Sequence, residues 1–317
     1  MISINQRIDK LGEKNNYVFY ASLFRLFICF HLLKKIILSW QYISLLYKST
    51  SFLPPSPTYL LEMINIDTMT IRSHYEIFIS FYIVVILLYF FGIGKHFTAL
   101  LLYILYELQQ RMCHLVLNGG DNLLKFIMLY MIFVDSYKYF VISKIQYKNS
   151  KIRYFSNVFS NLGGISVCLH LCMAYFLSGW HKVHADVWFN GVATYYTLSL
   201  ERFKGTPFNE MLVKNGAFVT ITTYYTMLVE IYFPVLIWFK KTKKVISLAA
   251  ISLHIGIYVF MMIYDFQIVF IMVQGFFFSN EKWIRLINKY KRKIQNLKEK
   301  FTKKLPHEYK QTYSATT

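Results

Sequence analysis

Residues 162–188 read LGGISVCLHLCMAYFLSGW followed by HKVHADVW, an apolar run that ends at Trp180 and a short polar motif that follows it. A run of 19 residues is about the length that an α-helix needs to cross the hydrocarbon core of a bilayer. The run therefore predicts a transmembrane helix. The motif at 178–188 contains two histidines, a lysine, an aspartate and two tryptophans, which makes it the first place to look for a chemical site.

The composition of the whole chain extends this prediction. Its 317 residues are 56% hydrophobic and 19% aromatic, with a mean hydropathy of +0.37, whereas soluble domains are about 45–50% apolar. An excess of this kind, grouped in long runs, predicts an integral membrane protein. We expect an all-α, polytopic helix bundle as one domain over residues 1–280, with a basic amphipathic cytoplasmic tail over residues 281–317.

The hydrophobic runs predict about eight membrane spans. The first contains Arg25, Lys34 and Lys35, so its charges must face protein or reach the membrane interface. Residues 1–16 are polar and no small-residue cleavage site follows, so we expect the first run to stay as an anchor. The predicted spans are 17–40, 75–92, 97–117, 123–142, 162–180, 217–239, 245–263 and 268–278.

Polar segments separate these runs. A proline-rich connector occupies 41–74. Asn, Gly and Asp residues predict a tight turn at 118–122, and residues 264–267 are predicted to form another turn. Residues 188–200 are a helix candidate outside the spans. From Glu281 onward, apolar residues at helical spacing predict an amphipathic helix on the membrane surface, followed by a disordered end.

The distribution of basic residues indicates the orientation of the chain. The net charge of +19 resides in short connectors and the tail, a pattern typical of contact with the lipid bilayer rather than with nucleic acid. With eight spans, the N-terminal segment, Lys95, 144–153, 240–244 and the tail all fall on one side. The positive-inside rule then places both termini in the cytoplasm of a cell-membrane protein. The Lys182 motif and both tight turns consequently lie at the external face.

Two interpretations of Lys182 follow from its position at a helix end. It either extends its ammonium to the lipid headgroups or lies in a partly dry pocket, where it would act as a base. His181, His184 and Asp186 include metal-ligand types, but no HExxH or CxxC pattern accompanies them. We therefore expect them to line a cavity, and we predict no metal.

Other ionisable residues interrupt the predicted spans. Glu107, Arg111 and His114 have the spacing of one helical face, which suits either a structural ion pair or the lining of a substrate cavity. Glu230 and His254 are lone polar groups in apolar helices. For His254 the ordinary interpretation is an interior hydrogen bond, although both helices flank the Lys182 segment in sequence.

Several residues and motifs follow one another along the chain in a recognisable order: Arg25, NGGDNLL at 118–124, YFLSGWHK at 175–182, WFNGVATYY at 188–196, Glu230 with Phe233-Pro234, and HIGI at 254–257 with Phe266. In order and spacing this set resembles the HTTM domain, the membrane domain shared with vitamin K-dependent gamma-carboxylase. The resemblance covers about residues 17–278 and rests on the set rather than on any single motif.

The resemblance implies a function for the Lys182 motif. Lys182 occupies the place of the lysine that deprotonates vitamin K hydroquinone, so a quinone or hydroquinone is the implied cofactor and a peptide the implied substrate, modified at the external face. The motif has one more residue before its tryptophan than the carboxylase has. With Lys182 as the catalytic residue, the expected substrate-binding residues are His181, His184, Asp186, Trp188, Asp121, Glu107, Arg111, Glu230 and His254.

Departures from the carboxylase widen the choice of functions. No large lumenal domain follows the membrane part, so we do not expect carboxylation of a long protein substrate. The chain is also similar in size and in its Gly-Gly-acid turn to the bacterial B component of sporulation-delaying toxin systems. The alternatives are therefore a non-enzymatic accessory protein for maturation or export of a secreted peptide toxin, and a transporter or lipid-binding bundle.

Overall fold

The computed structural model describes residues 4–48, 68–144 and 146–304, which form helices and turns without a β-strand. The predicted all-α class is therefore confirmed for the described chain. The protein divides into two compact units, Met1–Phe277 and Phe278–Thr317. The described helices are α1 Ile4–Glu13, α2 Val18–Leu38, α3 Ile43–Tyr47, α4 Thr68–Ser73, α5 Tyr75–Phe91, α6 Lys95–Met112, α7 Gly119–Met131, α8 Ser150–Val183, α9 Asp186–Phe189, α10 Ala193–Ser199, α11 Phe208–Val213, α12 Gly216–Leu236, α13 Lys243–Met261, α14 Tyr264–Val273 and, in the second unit, α15 Asn280–Lys304.

Three helices, α8, α12 and α13, are long and apolar enough to cross a membrane by length and composition. Helix α5 is apolar but shorter, and so is α14 together with the 3-10 turn Gln274–Phe277 that continues it. The chain thus has the helices of a candidate membrane protein.

Helix α8 is the centre of the first unit and packs against α1, α7, α12 and α14. Its 34 residues give a length of about 51 Å. It begins at Ser150, 12 residues before the predicted span, because Asn149 caps it by accepting hydrogen bonds from the backbone N–H groups of Lys151 (2.8 Å) and Ile152. It also continues past Trp180 to Val183, so Lys182 lies inside the helix rather than after it.

The predicted fourth span, 123–142, is helical only as far as Met131. The interruption has a local cause. The Asp135 carboxylate accepts a hydrogen bond from the backbone N–H of Tyr137 (3.1 Å), and the Asp135 N–H donates to Ser160 Oγ on α8 (3.0 Å). These polar contacts hold the backbone in a turn where the apolar pattern alone predicted continued helix.

Three further boundaries differ from prediction. Residues 264–267 are not a turn but the first turn of α14, which follows Met262 in the left-handed region (φ 54°). The candidate helix at 188–200 is broken at Gly191, whose φ is 73°. The third span ends at Met112, so His114 lies in a separate 3-10 turn and does not continue the helical face of Glu107 and Arg111. The prolines of the 41–74 connector and the end of the tail from residue 305 lie outside the described residues.

Arg25 on α2 is fully buried and ties separate segments together. Its guanidinium donates hydrogen bonds to backbone carbonyls of the last turn of α5 and of the non-helical segment after α7. Two of these carbonyls have a second donor, since Tyr89 also accepts from the Gly92 N–H (3.0 Å) and Ser136 from Ser22 Oγ (2.9 Å). The acceptors are Tyr89 (2.6 Å), Phe90, Ser136 (3.3 Å), Tyr139 (3.2 Å) and Phe140 (2.6 Å). The expectation that Arg25 faces protein is confirmed.

Candidate functional site

Lys182 and Glu230 form an ion pair between α8 and α12. Lys182 Nζ lies 2.6 Å from Glu230 Oε2 and 2.9 Å from Oε1, and it also donates to Ser178 Oγ at 2.6 Å, one turn earlier on α8. The side chains are only 18% and 11% exposed, respectively. Two groups singled out separately in the sequence are thus direct partners.

Gly179 explains why the two helices approach closely enough for this pair. A Cβ at Gly179 would lie 2.8 Å from Ile231 Cγ1 and 3.0 Å from the Ile231 backbone nitrogen, distances that a real side chain would not tolerate. On α12, Pro234 has no N–H to donate to the Glu230 carbonyl. The ion pair therefore lies where α8 has no side chain, at Gly179, and where α12 lacks the backbone hydrogen bond that Pro234 cannot donate.

Trp188 completes the surroundings of Lys182. The helix breaks between α8 and α9, and this break brings Trp188 close to Lys182. The Trp188 ring centre lies 5.0 Å from Lys182 Nζ, within range of a cation–π interaction. The ammonium thus contacts a carboxylate, a hydroxyl and an aromatic face. This set stabilises a cation and also offers a flat aromatic surface beside a group that carries protons.

A second polar group lies deeper on the same face of α8. Tyr175 Oη lies 2.6 Å from His254 Nε2, and the other ring nitrogen of His254 contacts the Gln267 amide oxygen. Gln274 donates to Tyr175 Oη at 3.3 Å and accepts from Ser247 Oγ at 3.0 Å. The interior hydrogen bond expected for His254 is present. Tyr175 and Lys182 are seven residues apart, roughly 10 Å along the helix.

The other polar residues of the motif do not contact the ion pair. His181, His184 and Asp186 are exposed. His184 Nδ1 lies 2.8 Å from the Trp180 carbonyl oxygen, and its ring lies 4.6 Å from the Trp180 ring. Among the described residues no group of three or more His, Cys, Asp or Glu side chains is placed to hold a metal ion.

Glu107 and Arg111 form the ion pair that the sequence left as one of two interpretations, with Arg111 Nη2 2.5 Å from Glu107 Oε1. Lys125 on α7 lies 3.7 Å from the other carboxylate oxygen. These charges connect α6 to α7. They lie in a group separate from the Lys182–Glu230 pair.

Asp121 belongs to a third group, at the start of α7. It is 1% exposed, forms a capping box with Asn118, accepts a hydrogen bond from Tyr106 Oη at 3.3 Å and pairs with Lys35 of α2. The adjacent Lys34 pairs with Asp265 at the start of α14. Two neighbouring lysines of α2 thus hold the N-terminal ends of two other helices, where carboxylates also complement the helix dipoles.

The sequence identified most of the charged residues of these groups but few of the polar side chains that they contact. Ser178, Tyr175, Gln267 and Gln274 were not predicted as site residues, because hydroxyls and amides are common in membrane helices. The partners of Lys34 and Lys35 did have a signal. Two lysines inside an apolar run require nearby carboxylates, and Asp121 and Asp265 stood in the two turns predicted for the same face.

A charged segment outside the predicted spans gives a contrast to this site. Lys204 pairs with Glu201 (2.9 Å) and Glu210 (3.2 Å) at the surface, where the carboxylates are 84% and 66% exposed. Its hydrogen bonds to the two carboxylates raise the pKa of Lys204, the bond to Glu201 having the larger effect and the bond to Glu210 the second largest. A surface cleft beside this pair, lined by Leu198, Ser199, Lys204, Glu210, Val213 and Lys214, does not include Lys182.

Comparison with known proteins gave no relative: no family model, no curated protein and no solved structure matches the chain. The function is therefore argued from the site.

Proposed function

We propose that this chain is a multi-pass membrane protein of the HTTM type, whose Lys182–Glu230 pair accepts a proton from a small quinol-like ligand at the external face. One observation carries the proposal: an ammonium and a carboxylate are placed together, largely buried, between two helices that are each long and apolar enough to span a bilayer. Ionisable groups are costly in such helices and are most often retained for function.

Two features support eight crossings with cytoplasmic termini, the topology we propose. The basic connectors alternate with the apolar runs as the positive-inside rule requires. Helix α7 has only 13 residues, about 20 Å, so a crossing there would include non-helical backbone. Such backbone is tolerated at membrane depth only where protein satisfies its polar groups, and Arg25 satisfies the carbonyls of Ser136, Tyr139 and Phe140.

The pair has the means to take up a proton. A ligand that excludes water disfavours separated charges, and one proton can then pass from Lys182 Nζ to Glu230 Oε2 across 2.6 Å. The neutral amine accepts a proton from an acidic hydroxyl of the ligand. The pair ends with one additional proton, and the ammonium of Lys182 faces the anion that has formed.

The residues at the site suit a reduced quinone. Lys182 and Glu230 would contact its hydroxyl, and Trp188, whose ring already lies beside the ammonium, would pack against its ring. When bound, a reduced quinone supplies an acidic aromatic hydroxyl and two electrons for oxidation. Modification of a secreted peptide is the use of this chemistry that the HTTM resemblance implies.

A non-enzymatic accessory role in peptide toxin maturation is the second candidate, and one observation favours it. Lys182 donates to Ser178 and to both oxygens of Glu230, so its hydrogens are fully used, as in a structural ion pair. A substitution that keeps the ion pair but cannot release a proton separates the two roles.

Lys182→Arg is that substitution, because arginine retains the charge but does not deprotonate in proteins. The full chain in lipid nanodiscs is titrated with menaquinone, followed by tryptophan fluorescence, and its consumption of vitamin K hydroquinone under oxygen is measured by chromatography. We expect quinone binding to change little in the variant and turnover to fall about 100-fold or more.

Lys204→Met is the matched control, since it removes a lysine from an exposed ion pair. It should leave binding and turnover unchanged. Turnover that persists in Lys182→Arg would show that Lys182 is not the base. If the unsubstituted protein neither binds menaquinone nor consumes hydroquinone, the accessory role is supported instead.

A further inference from the structure

Helix α15 carries a stripe of apolar residues, with Ile284 and Leu286 beside it. Trp283, Ile287, Tyr290 and Ile294 follow one another at intervals of four, three and four residues, and Leu297 and Phe301 continue that spacing in the sequence. A 3.5-residue period keeps such positions on one face of a helix. Tyr290 and Ile294 are 58% and 54% exposed, so much of the stripe faces outward.

Basic residues surround this stripe in two distinct positions. At 100° per residue, Lys291 and Lys293 fall on either edge of the stripe, whereas Arg285 and Arg292 fall on the opposite face. Over its whole length the helix has ten lysines and arginines against two glutamates. Lys291, Lys293, Arg285 and Arg292 are all exposed.

The edge lysines argue against pairing with a second copy of this helix. In a two-stranded coiled coil the positions that flank the seam meet the same positions of the partner, where opposite charges stabilise the pair. Here Lys293 would face Lys298 of a parallel partner, so two like charges would meet. A flat anionic surface has the opposite effect, because lysine stems lie along the apolar layer while their ammonium groups reach the lipid phosphates.

We propose that α15 lies on an anionic lipid surface, with the stripe from Trp283 to Ile294 inserted and Lys291 and Lys293 bound to lipid phosphates. Charge complementarity selects this occupant, since the helix combines a net charge of +8 with apolar residues on one side only. The proposal is independent of the chemistry at Lys182.

Hydrogen exchange of the full chain tests it in two kinds of nanodisc, one of phosphatidylcholine alone and one that also contains phosphatidylglycerol. Each basic residue near an anionic surface strengthens binding about fivefold. We therefore expect amides of α15 to exchange at least about tenfold more slowly in the anionic discs, and we expect added salt to reduce the difference.

Two double variants that remove the same charge locate the effect. Lys291→Gln with Lys293→Gln should abolish most of the lipid-dependent protection, whereas Arg285→Gln with Arg292→Gln should retain most of it. Equal exchange in both discs would overturn the proposal. Equal loss in the two variants would overturn the role of the edge lysines, and slow exchange in both discs would indicate that protein covers the stripe instead.

Discussion

Lys182 and Arg25 show two ways in which this chain places a cation among apolar helices. Lys182 is paired with a carboxylate and a hydroxyl, so it has neighbours to which a proton can move. Arg25 is surrounded by backbone carbonyls, which accept hydrogen bonds but do not take the proton of a guanidinium. At the scale of single residues, Lys182 therefore suits chemistry and Arg25 suits architecture.

Substitution of Arg25 tests that architectural role. Arg25→Met removes the donor to the carbonyls of Phe90, Tyr139 and Phe140, and we expect the free energy of unfolding to fall by more than about 3 kcal/mol. Arg25→Lys keeps the charge but loses the planar fork, so its loss should be intermediate. Equilibrium unfolding in mixed micelles measures both. If Arg25→Met is as stable as the unsubstituted chain, the carbonyl contacts do not hold the fold together.

The sequence singled out Lys182, Glu230 and His254 but did not predict which of them meet. Lys182 and Glu230 are 48 residues apart, and the apolar pattern does not specify which face of α12 turns toward α8. In the fold, Glu230 contacts Lys182. His254 instead contacts Tyr175, in the second polar group, which lies deeper in the bundle.

At the scale of elements, the packing of α8 against α12 positions the candidate site. Gly179 is buried where the two helices are in close contact, next to Glu230 and Ile231. Ser178 precedes it, and Lys182 lies one turn after Ser178 on the same side of α8. A change in the spacing of these helices would therefore alter the ion pair without changing either of its members.

Gly179→Ala should push α12 away and weaken the contact between Lys182 and Glu230. We expect a loss of about 1–3 kcal/mol in the free energy of unfolding and weaker quinone binding. Gly256→Ala on α13 is the control, because a Cβ there meets no atom within 4 Å and alanine favours helix over glycine. Thermal unfolding of both variants in nanodiscs checks this. A Gly179 variant as stable as the Gly256 variant would contradict the close approach.

Helix boundaries were the least predictable elements. The apolar run at 162–180 located α8, but not the cap at Asn149, which lengthens the helix toward its N-terminus. The run at 123–142 overestimated α7, because Asp135 in the non-helical segment after α7 interacts with Ser160 on α8. A local pattern records hydrophobicity along one chain segment, whereas these boundaries depend on contacts between segments distant in sequence.

At the scale of the whole molecule, the all-α class follows from composition and apolar periodicity and is present in the described residues. Of the eight spans predicted, three correspond to described helices that are long and apolar enough to cross a membrane. Contacts such as those of Arg25 do not follow from periodicity. They depend on how α2, α5 and the segment after α7 assemble, which one apolar pattern does not specify.

The proposed topology predicts opposite accessibility for two loops. Cysteine placed at Lys204 should react with a membrane-impermeant maleimide in intact cells, and cysteine placed at Lys240 should react only after the membrane is opened. The native cysteines, Cys29, Cys113, Cys168 and Cys172, are buried and should contribute little background. Labelling of both positions from the same side would contradict an eight-crossing arrangement.

The contacts of Arg25 also constrain how the protein is made. Its acceptors are synthesised 64 to 115 residues after it, a delay of roughly 3 to 23 seconds at 5–20 residues per second. During that interval α2 carries a guanidinium without its final partners, which disfavours its stable entry into lipid as a single helix. In the eight-crossing topology that we propose, we therefore expect α2 to become stably inserted only after the segment that follows α7 has been synthesised.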